Sequence, residues 1–179
     1  MNKAIFLDRD GVINVDKEYV HKIEDFDFIP RAIDALKILS KTNFKIIIVT
    51  DQSGIGRGYY TVKDYNAVTE YMLSEFNKNN IRIDEIYYCP HHPEENCECR
   101  KPNKKLILNA EKSFNLDLEK SYIIGDKTKD IMLGKNAGCK TIAVKTGKGG
   151  NDGEFDVKPD FIADDLSDAV NIILSKEKY

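Results

Sequence analysis

A chain of 179 residues with 41% hydrophobic residues and a net charge of -3 is long enough to bury a core unaided, and its length suits one domain over residues 1–179. Positive charge is spread along the chain and balanced by acids, which argues against a nucleic-acid platform, and no apolar run reaches the length of a membrane helix. The N-terminus lacks the layout of a signal peptide, so a cytoplasmic location is expected.

The first apolar run, Ala4-Ile5-Phe6-Leu7, reads as a buried strand and ends in Asp8-Arg9-Asp10-Gly11-Val12-Ile13-Asn14. On an extended chain the spacing of Asp8 and Asp10 aims both carboxylates to one side and turns Arg9 to the other, where it serves structure. Gly11 allows a tight turn beside them. The plainer reading of Asp10-Gly11 is an ordinary acidic turn. Val15 to Pro30 has no helical period and reads as a loop over the strand tips, with a short extended piece at Asp25–Ile29. Pro30 opens a helix at its first turn, with Ile33, Leu36, Ile38 and Leu39 on its apolar face.

Phe44 to Thr50 is the second strand, and the glycine-rich turn Asp51 to Gly58 follows. Val62 to Asn77 carries helical spacing at Tyr65, Val68, Met72, Leu73 and Phe76, and Asn79-Asn80 stops it. A third strand, Ile83 to Tyr88, runs into a loop holding Cys89, Cys97 and Cys99; Cys139 stands apart as a small buried hydrophobe. In a reducing compartment, clustered cysteines with a histidine suggest a metal rather than disulfides. Lys104 to Phe114 is helical, Ser121 to Gly125 a strand ending at Asp126, and a helix then runs through Gly138. Lys140–Val144 is a fifth strand, Gly147 to Gly153 an exposed glycine-rich loop, Asp160–Ala163 a short last strand, and Leu166 to Lys176 a closing helix. This alternation predicts an α/β fold, a Rossmann-like three-layer α/β/α sandwich on a mostly parallel sheet.

Asp8, Thr50 and Asp126 each end an apolar run, so they converge at the carboxyl edge of one sheet, where ligands of such sheets gather. Each alone has a bland reading as a helix cap. Together they suit phosphoryl transfer. Asp8 can attack phosphorus and carry the phosphoryl group, while Asp10 serves as general acid and then base. Thr50 and a lysine can hold the non-bridging oxygens, and Asp8 with Asp126 can hold a hard cation such as Mg2+.

The Asp8-Arg9-Asp10-Gly11-Val12 motif, Thr50, and Gly125-Asp126-Lys127 with Asp130 resemble the haloacid dehalogenase superfamily of phosphohydrolases, in the expected order from Asp8 to about Gly147. The resemblance implies Mg2+ as cofactor, held by Asp8, Asp126 and the backbone carbonyl of Asp10, and it implies an aspartyl-phosphate intermediate. The spacing C-x-H-x5-C-x-C of Cys89, His91, Cys97 and Cys99 then implies a closed structural Zn2+ site in a loop spanning 89–101, with His92 left as a loop residue. Arg100 and Lys101 follow that knot directly. The resemblance makes Lys101 the phosphate-gripping lysine and suits Arg100, with its planar fork, to a second phosphate or to sugar hydroxyls.

Such a zinc loop is shared by the heptose 1,7-bisphosphate 7-phosphatase family and the histidinol-phosphate phosphatases. Ser53-Gly54-Ile55-Gly56-Arg57-Gly58-Tyr59 and the stretch from Asn14 to Phe28 resemble the heptose branch. That branch implies a small phosphorylated sugar as substrate, contacted by Asp16, Lys17, Glu18, Tyr19, Thr50, Asp51, Gln52, Ser53, Arg100, Lys101 and Lys127, and a monomer without a large cap domain. Histidinol-phosphate hydrolysis is the alternative within the class, and a non-catalytic phosphosugar-binding protein the alternative outside it. Two departures stand out. Asp51 takes the place of the family's usual Asn, so an extra acid would repel a bisphosphate or prefer a less charged ligand, and Asn103-Lys104-Lys105 replaces a glycine-containing helix start.

Overall fold

In the computed structural model, which describes residues 1–177, six strands pair in the order β3-β2-β1-β4-β5-β6, every pairing parallel. The last two residues of the expected span, 178–179, lie outside the described residues. The elements run β1 (Ala4–Leu7), α1 (Ala32–Ser40), β2 (Lys45–Asp51), a single turn α2 (Ser53–Gly56), α3 (Val62–Lys78), β3 (Glu85–Cys89), α4 (Lys105–Phe114), β4 (Tyr122–Gly125), α5 (Thr128–Ala137), β5 (Lys140–Val144), β6 (Phe161–Ala163) and α6 (Leu166–Lys176).

Strand alternation divides the core in two. Ile5 and Leu7 of β1, Ile46 and Ile48 of β2, and Ile124 of β4 face α1, α3 and α6, which supply Leu36, Leu39, Met72, Phe76, Val170 and Ile173. Ala4, Phe6, Ile47, Val49 and Ile123 face the other way, onto Leu106, Ile107 and Ala110 of α4 and Leu133 of α5. The three-layer α/β/α arrangement follows from this two-sided burial. Cys139 packs as a small apolar residue in the second cluster, as expected.

After β1 the chain adds β2 and β3 on one flank of β1, then crosses back to β4 on the opposite flank. The switch point of the sheet therefore lies between β1 and β4, where such folds hold their ligands. Asp8, Thr50 and Asp126 sit at the tips of the three adjacent strands β1, β2 and β4.

Four local expectations are corrected. Helix α1 begins at Ala32, not at Pro30, because Arg31 adopts a left-handed conformation (φ 68°) and closes a turn before the helix can start. Its inner face is Ala32, Ala35, Leu36 and Leu39; Ile38 is 40% exposed, since the true helical phase turns it outward. Leu73 of α3 is likewise on the exposed side. The piece expected as extended, Asp25–Ile29, is reduced: Asp25 closes a 3-10 turn that starts at Ile23, and Phe28 alone bridges Asn14 in antiparallel fashion.

Candidate active site

The carboxyl edge of the sheet opens into a cleft of about 310 Å3 lined by Asp8, Asp10, Asp51, Gln52, Arg100 and Lys127 among others. Asp8 is 7% exposed, and Lys101 Nζ lies 3.0 Å from its Oδ1. Lys101 is itself buried and also donates to Asp130 Oδ1 at 2.7 Å and to the Val49 carbonyl at 3.1 Å. Burial works against its charge, but Asp130, Asp8 and Asp51 together hold its pKa well above the ordinary lysine value. Burial is also the largest influence on Asp8, whose carboxyl is pushed up to about 7: Lys101 opposes the rise, and Asp130 and Asp126 add to it.

Asp126 is fully buried and is pushed up to about 6, by burial first and by Asp130 next. Its Oδ2 accepts from the Lys148 backbone N–H at 3.0 Å, while Oδ1 is buried with no hydrogen-bond partner. An orphaned carboxylate oxygen beside two further buried acids is the signature of a site that fits a hard divalent cation. Oxygens of Asp8, Asp126 and Asp130 all lie within 4.8 Å of one another. Of these three, Asp130 has both oxygens engaged, by Lys101 Nζ and by the Lys127 backbone N–H, so its place is to hold the lysine. Gly11 makes this approach possible: its φ is +85°, and a Cβ there would stand 2.6 Å from the Asp126 carboxyl carbon.

The glycine-rich loop 147–153 is exposed along most of its length, as expected, and its backbone also reaches Asp126. The Gly150 N–H donates to the Asp126 carbonyl, the Thr146 hydroxyl to the Gly11 carbonyl, and the Thr128 N–H to Asp152.

Asp10 lies across the cleft floor, and its surroundings correct the reading of Arg9. Strand β1 stops at Leu7, so alternation no longer governs residues 8–14, which turn back on the Arg9 carbonyl. The Arg9 guanidinium therefore folds onto Asp10, with Nε 3.1 Å from Oδ2 and Nη2 2.9 Å from Oδ1, and its Nη2 also donates to the Val20 carbonyl. Arg9 is 2% exposed and lines the cleft, tying Asp10 to the loop beyond it. Asn14 Nδ2 and Gln52 Nε2 complete the donors to Asp10, at 3.0 and 3.2 Å.

The predicted substrate residues divide. Asp16, Glu18, Tyr19, Asp51, Gln52, Ser53, Arg100 and Lys127 line the cleft together. Lys17 does not: its ammonium is turned outward to Asp27 Oδ2 at 2.6 Å, because Glu18 and Tyr19 both take positive φ and reverse the loop. Lys127 and Asp16 pair across the cleft at 2.9 Å, which holds the Asp16 carboxyl below its ordinary value despite burial.

The extra acid at Asp51 is paired with neighbouring cations rather than left bare in the cleft. Lys129 Nζ lies 2.7 Å from its Oδ2, Arg100 Nη1 lies 3.7 Å from the same oxygen, and the Lys101 backbone N–H donates to Oδ1. Burial disfavours the Asp51 charge, but Lys129 leads Lys101 and Arg100 in holding the carboxyl below its usual range. Lys129 was not expected. It stands 78 residues from Asp51 in the chain, and no motif or spacing joins the two. Tyr60, at the exit of the glycine-rich turn, has no such signal either, whereas Arg57 and Asn14 stand in the stretches that resemble the heptose branch, with no individual role expected of them.

In the cysteine loop, the Sγ atoms of Cys89, Cys97 and Cys99 lie 2.9 to 3.5 Å apart, and His91 Nδ1 is 3.1 Å from Cys99 Sγ. None of the cysteines is in a disulfide. Three sulfurs and one imidazole nitrogen drawn to one point form a donor set compatible with tetrahedral zinc. His92 turns away from this point. Its Nδ1 accepts from the Glu94 N–H at 3.1 Å, and its Nε2 meets Arg57 Nη1 at 3.4 Å.

Fold and site together define a HAD-like hydrolase: a family model described as HAD-hydrolase-like matches residues 98–169. The chain is 49% identical over 140 residues to a D-glycero-beta-D-manno-heptose-1,7-bisphosphate 7-phosphatase of Helicobacter pylori, a match covering 78% of this chain and 81% of that one. It is also 49% identical over 140 residues to a D-glycero-alpha-D-manno-heptose-1,7-bisphosphate 7-phosphatase of Campylobacter jejuni, covering 78% and 80%. Among solved structures, the D,D-heptose 1,7-bisphosphate phosphatase from B. bronchiseptica, complexed with magnesium and phosphate, superposes with a TM-score of 0.89 at 28% identity, covering 97% of this chain and 99% of that one. The chain belongs to the heptose-1,7-bisphosphate 7-phosphatase family of HAD hydrolases.

Proposed function

We propose that this protein hydrolyses the 7-phosphate of D-glycero-D-manno-heptose 1,7-bisphosphate, leaving heptose 1-phosphate. The observation that carries this reading is the buried Asp8 with Lys101 at 3.0 Å, set beside the unpartnered Oδ1 of Asp126. A nucleophile, a cation for the phosphoryl oxygens and a vacant metal-type donor meet at one point. The relatives' names supply the sugar, and their alpha and beta forms are matched with equal identity.

Asp8 attacks phosphorus, and the bond from phosphorus to the sugar oxygen breaks as Asp10 delivers a proton to that oxygen. Asp10 then takes a proton from water, whose oxygen attacks phosphorus; the Asp8–phosphorus bond breaks and phosphate leaves. Lys101 must loosen from Asp8 to hold the phosphoryl oxygens, and Asp130 and the Val49 carbonyl keep it aimed while it does. The Thr50 hydroxyl supplies a further donor to those oxygens. Mg2+, held by Asp8, Asp126 and the Asp10 carbonyl, would offset the charge that gathers on the carboxylates and the phosphoryl group. Zn2+ on Cys89, His91, Cys97 and Cys99 would serve structure by fixing Arg100 and Lys101, and a thiolate knot of this kind suits a reducing cytoplasm.

Phosphate release from both anomers of the bisphosphate and from histidinol phosphate, with Asp8→Asn as control, tests the proposal. The expected result is a higher kcat/KM for one heptose anomer than for histidinol phosphate and no turnover by the variant. A preference for histidinol phosphate would overturn the substrate, and comparable turnover by Asp8→Asn would overturn the mechanism.

A further inference from the structure

Gln52 stands in the stretch from Thr50 to Ser53 that the family resemblance gives to the substrate, yet its side chain is tied to its protein neighbours. It is 2% exposed, and both amide hydrogens and one lone pair of its oxygen are engaged. Nε2 donates to Thr50 Oγ1 at 2.9 Å and to Asp10 Oδ2 at 3.2 Å, using both of its hydrogens. Oε1 accepts from the Tyr60 hydroxyl at 2.6 Å.

Tyr60 is held as firmly as the amide it touches. It is 6% exposed, and one edge of its ring lies against Gly54, where a Cβ would come within 2.0 Å of Cε1. The His21 ring stacks on it at 4.9 Å with an interplanar angle of 1°. Burial pushes the phenol up to about 12, so it stays protonated and remains a donor. The Asp10 carboxylate, which can only accept, selects this orientation of the amide, and the Tyr60 hydroxyl answers it by donating to Oε1. Turned over, Gln52 would face its oxygen toward the Asp10 carboxylate and lose both donated bonds. The bond received by Thr50 Oγ1 has a second effect: with that lone pair taken, the hydroxyl's own proton is directed away from Gln52 and is free for a phosphoryl oxygen.

We propose that Gln52 is a positioning residue rather than a substrate contact, its amide anchored by Tyr60 and in turn holding the Asp10 carboxyl and the Thr50 hydroxyl for phosphoryl transfer. The chain runs from His21 and Gly54, which lock the ring, through the Tyr60 hydroxyl and the Gln52 amide to the two reacting-site groups. It deepens the reading of Asp10 as the acid–base group and rests on it.

The test compares kcat/KM for heptose 1,7-bisphosphate, whose alkoxide leaving group needs a proton, with that for p-nitrophenyl phosphate, whose phenolate leaves without one. Tyr60→Phe keeps the ring between Gly54 and His21 and removes only the hydroxyl. It should lower kcat/KM for the sugar ester by about tenfold, through kcat, while the aryl ester falls much less. Gln52→Leu should show the same split, and adding Tyr60→Phe to it should cost nothing more, because the hydroxyl acts only through the amide. Asp10→Asn, measured in parallel, should show the largest split. A KM increase without a change in kcat, or equal losses on both esters, would make Gln52 a substrate contact or a mere packing group and overturn the inference. If Asp10→Asn shows the split and Tyr60→Phe does not, the inference alone falls. If Asp10→Asn shows none, the acid–base reading falls first.

Discussion

Removing Lys129 tests how the cleft tolerates an acid at position 51. Lys129 is 8% exposed and holds Asp51 Oδ2 at 2.7 Å, while the Asp51 side chain is 5% exposed. Truncating one partner of a buried ion pair costs about 3–5 kcal/mol when the other charge is left alone. Asp51 would not be left alone, since Arg100 stands at 3.7 Å and the Lys101 N–H donates to it at 3.2 Å. About 2 kcal/mol is therefore expected for Lys129→Met, which for a chain of this length is a fall in Tm of roughly 4–8 °C. The kinetic consequence is more specific. With Lys129 gone, Arg100 is drawn onto Asp51 and away from the cleft, so KM for the bisphosphate should rise several-fold with a smaller change in kcat. Asp51→Asn added to Lys129→Met removes the stranded charge and should restore most of both quantities. Thermal unfolding and steady-state kinetics on the two single variants and the double variant decide the matter. Additive losses in the double variant would refute the reasoning, because they would mean that the two side chains do not act on each other.

Zinc analysis of the native protein should find one ion per chain, and chelation should raise KM well above tenfold without unfolding the sheet, since Arg100 and Lys101 follow Cys99 directly and Arg57 leans on His92. A zinc-free protein with unchanged KM would separate the knot from the site. The metal-free acids make a second prediction. A carboxyl whose folded-state pKa lies above its unfolded value binds its proton more tightly when folded, so stability falls as pH rises between the two values. For Asp8 that window runs from 3.8 to about 7, and for Asp126 from 3.8 to about 6. Without divalent cation, Tm should therefore drop between pH 5 and pH 8, by the equivalent of a few kcal/mol at most. Saturating Mg2+ should flatten the drop, as should Asp8→Asn. A metal-free protein equally stable at both pH values would count against the crowding of these carboxylates.

The strand tips were legible because burial on both faces leaves an unbroken apolar run, and the first polar residue after it marks the sheet edge. Asp8, Thr50 and Asp126 were read in that way. The reading failed where the chain stops being a strand. Arg9 was turned outward by an alternation that ends at Leu7, and its guanidinium instead folds onto Asp10. Lys17 was carried over with its neighbours, although the positive φ angles at Glu18 and Tyr19 reverse the chain and send it to Asp27. Pro30 was given to a helix that the left-handed Arg31 delays. The pairing of Asp51 with Lys129 had no local signal at all, because it joins the end of β2 to the first turn of α5 and exists only once β1 and β4 lie between them.

That topology also explains why a metal-type knot belongs after β3. The tips of β1, β2 and β4 are each fixed by ladders on both sides, so a carboxylate or hydroxyl there is held by the sheet itself. Strand β3 has only β2 beside it, and its residues face partly to solvent. A chain leaving such an edge has no second strand to fix its direction, yet it must deliver Lys101 to within 3.0 Å of Asp8. Joined by zinc, the four side chains gathered between Cys89 and Cys99 would supply the missing constraint, while Asp130 and the Val49 carbonyl hold the lysine from the far side. Under the proposed mechanism, a zinc-joined knot would place Lys101 by a crosslink where its carboxylate partners are placed by hydrogen-bond ladders, so loss of the knot should reach KM before it reaches the fold.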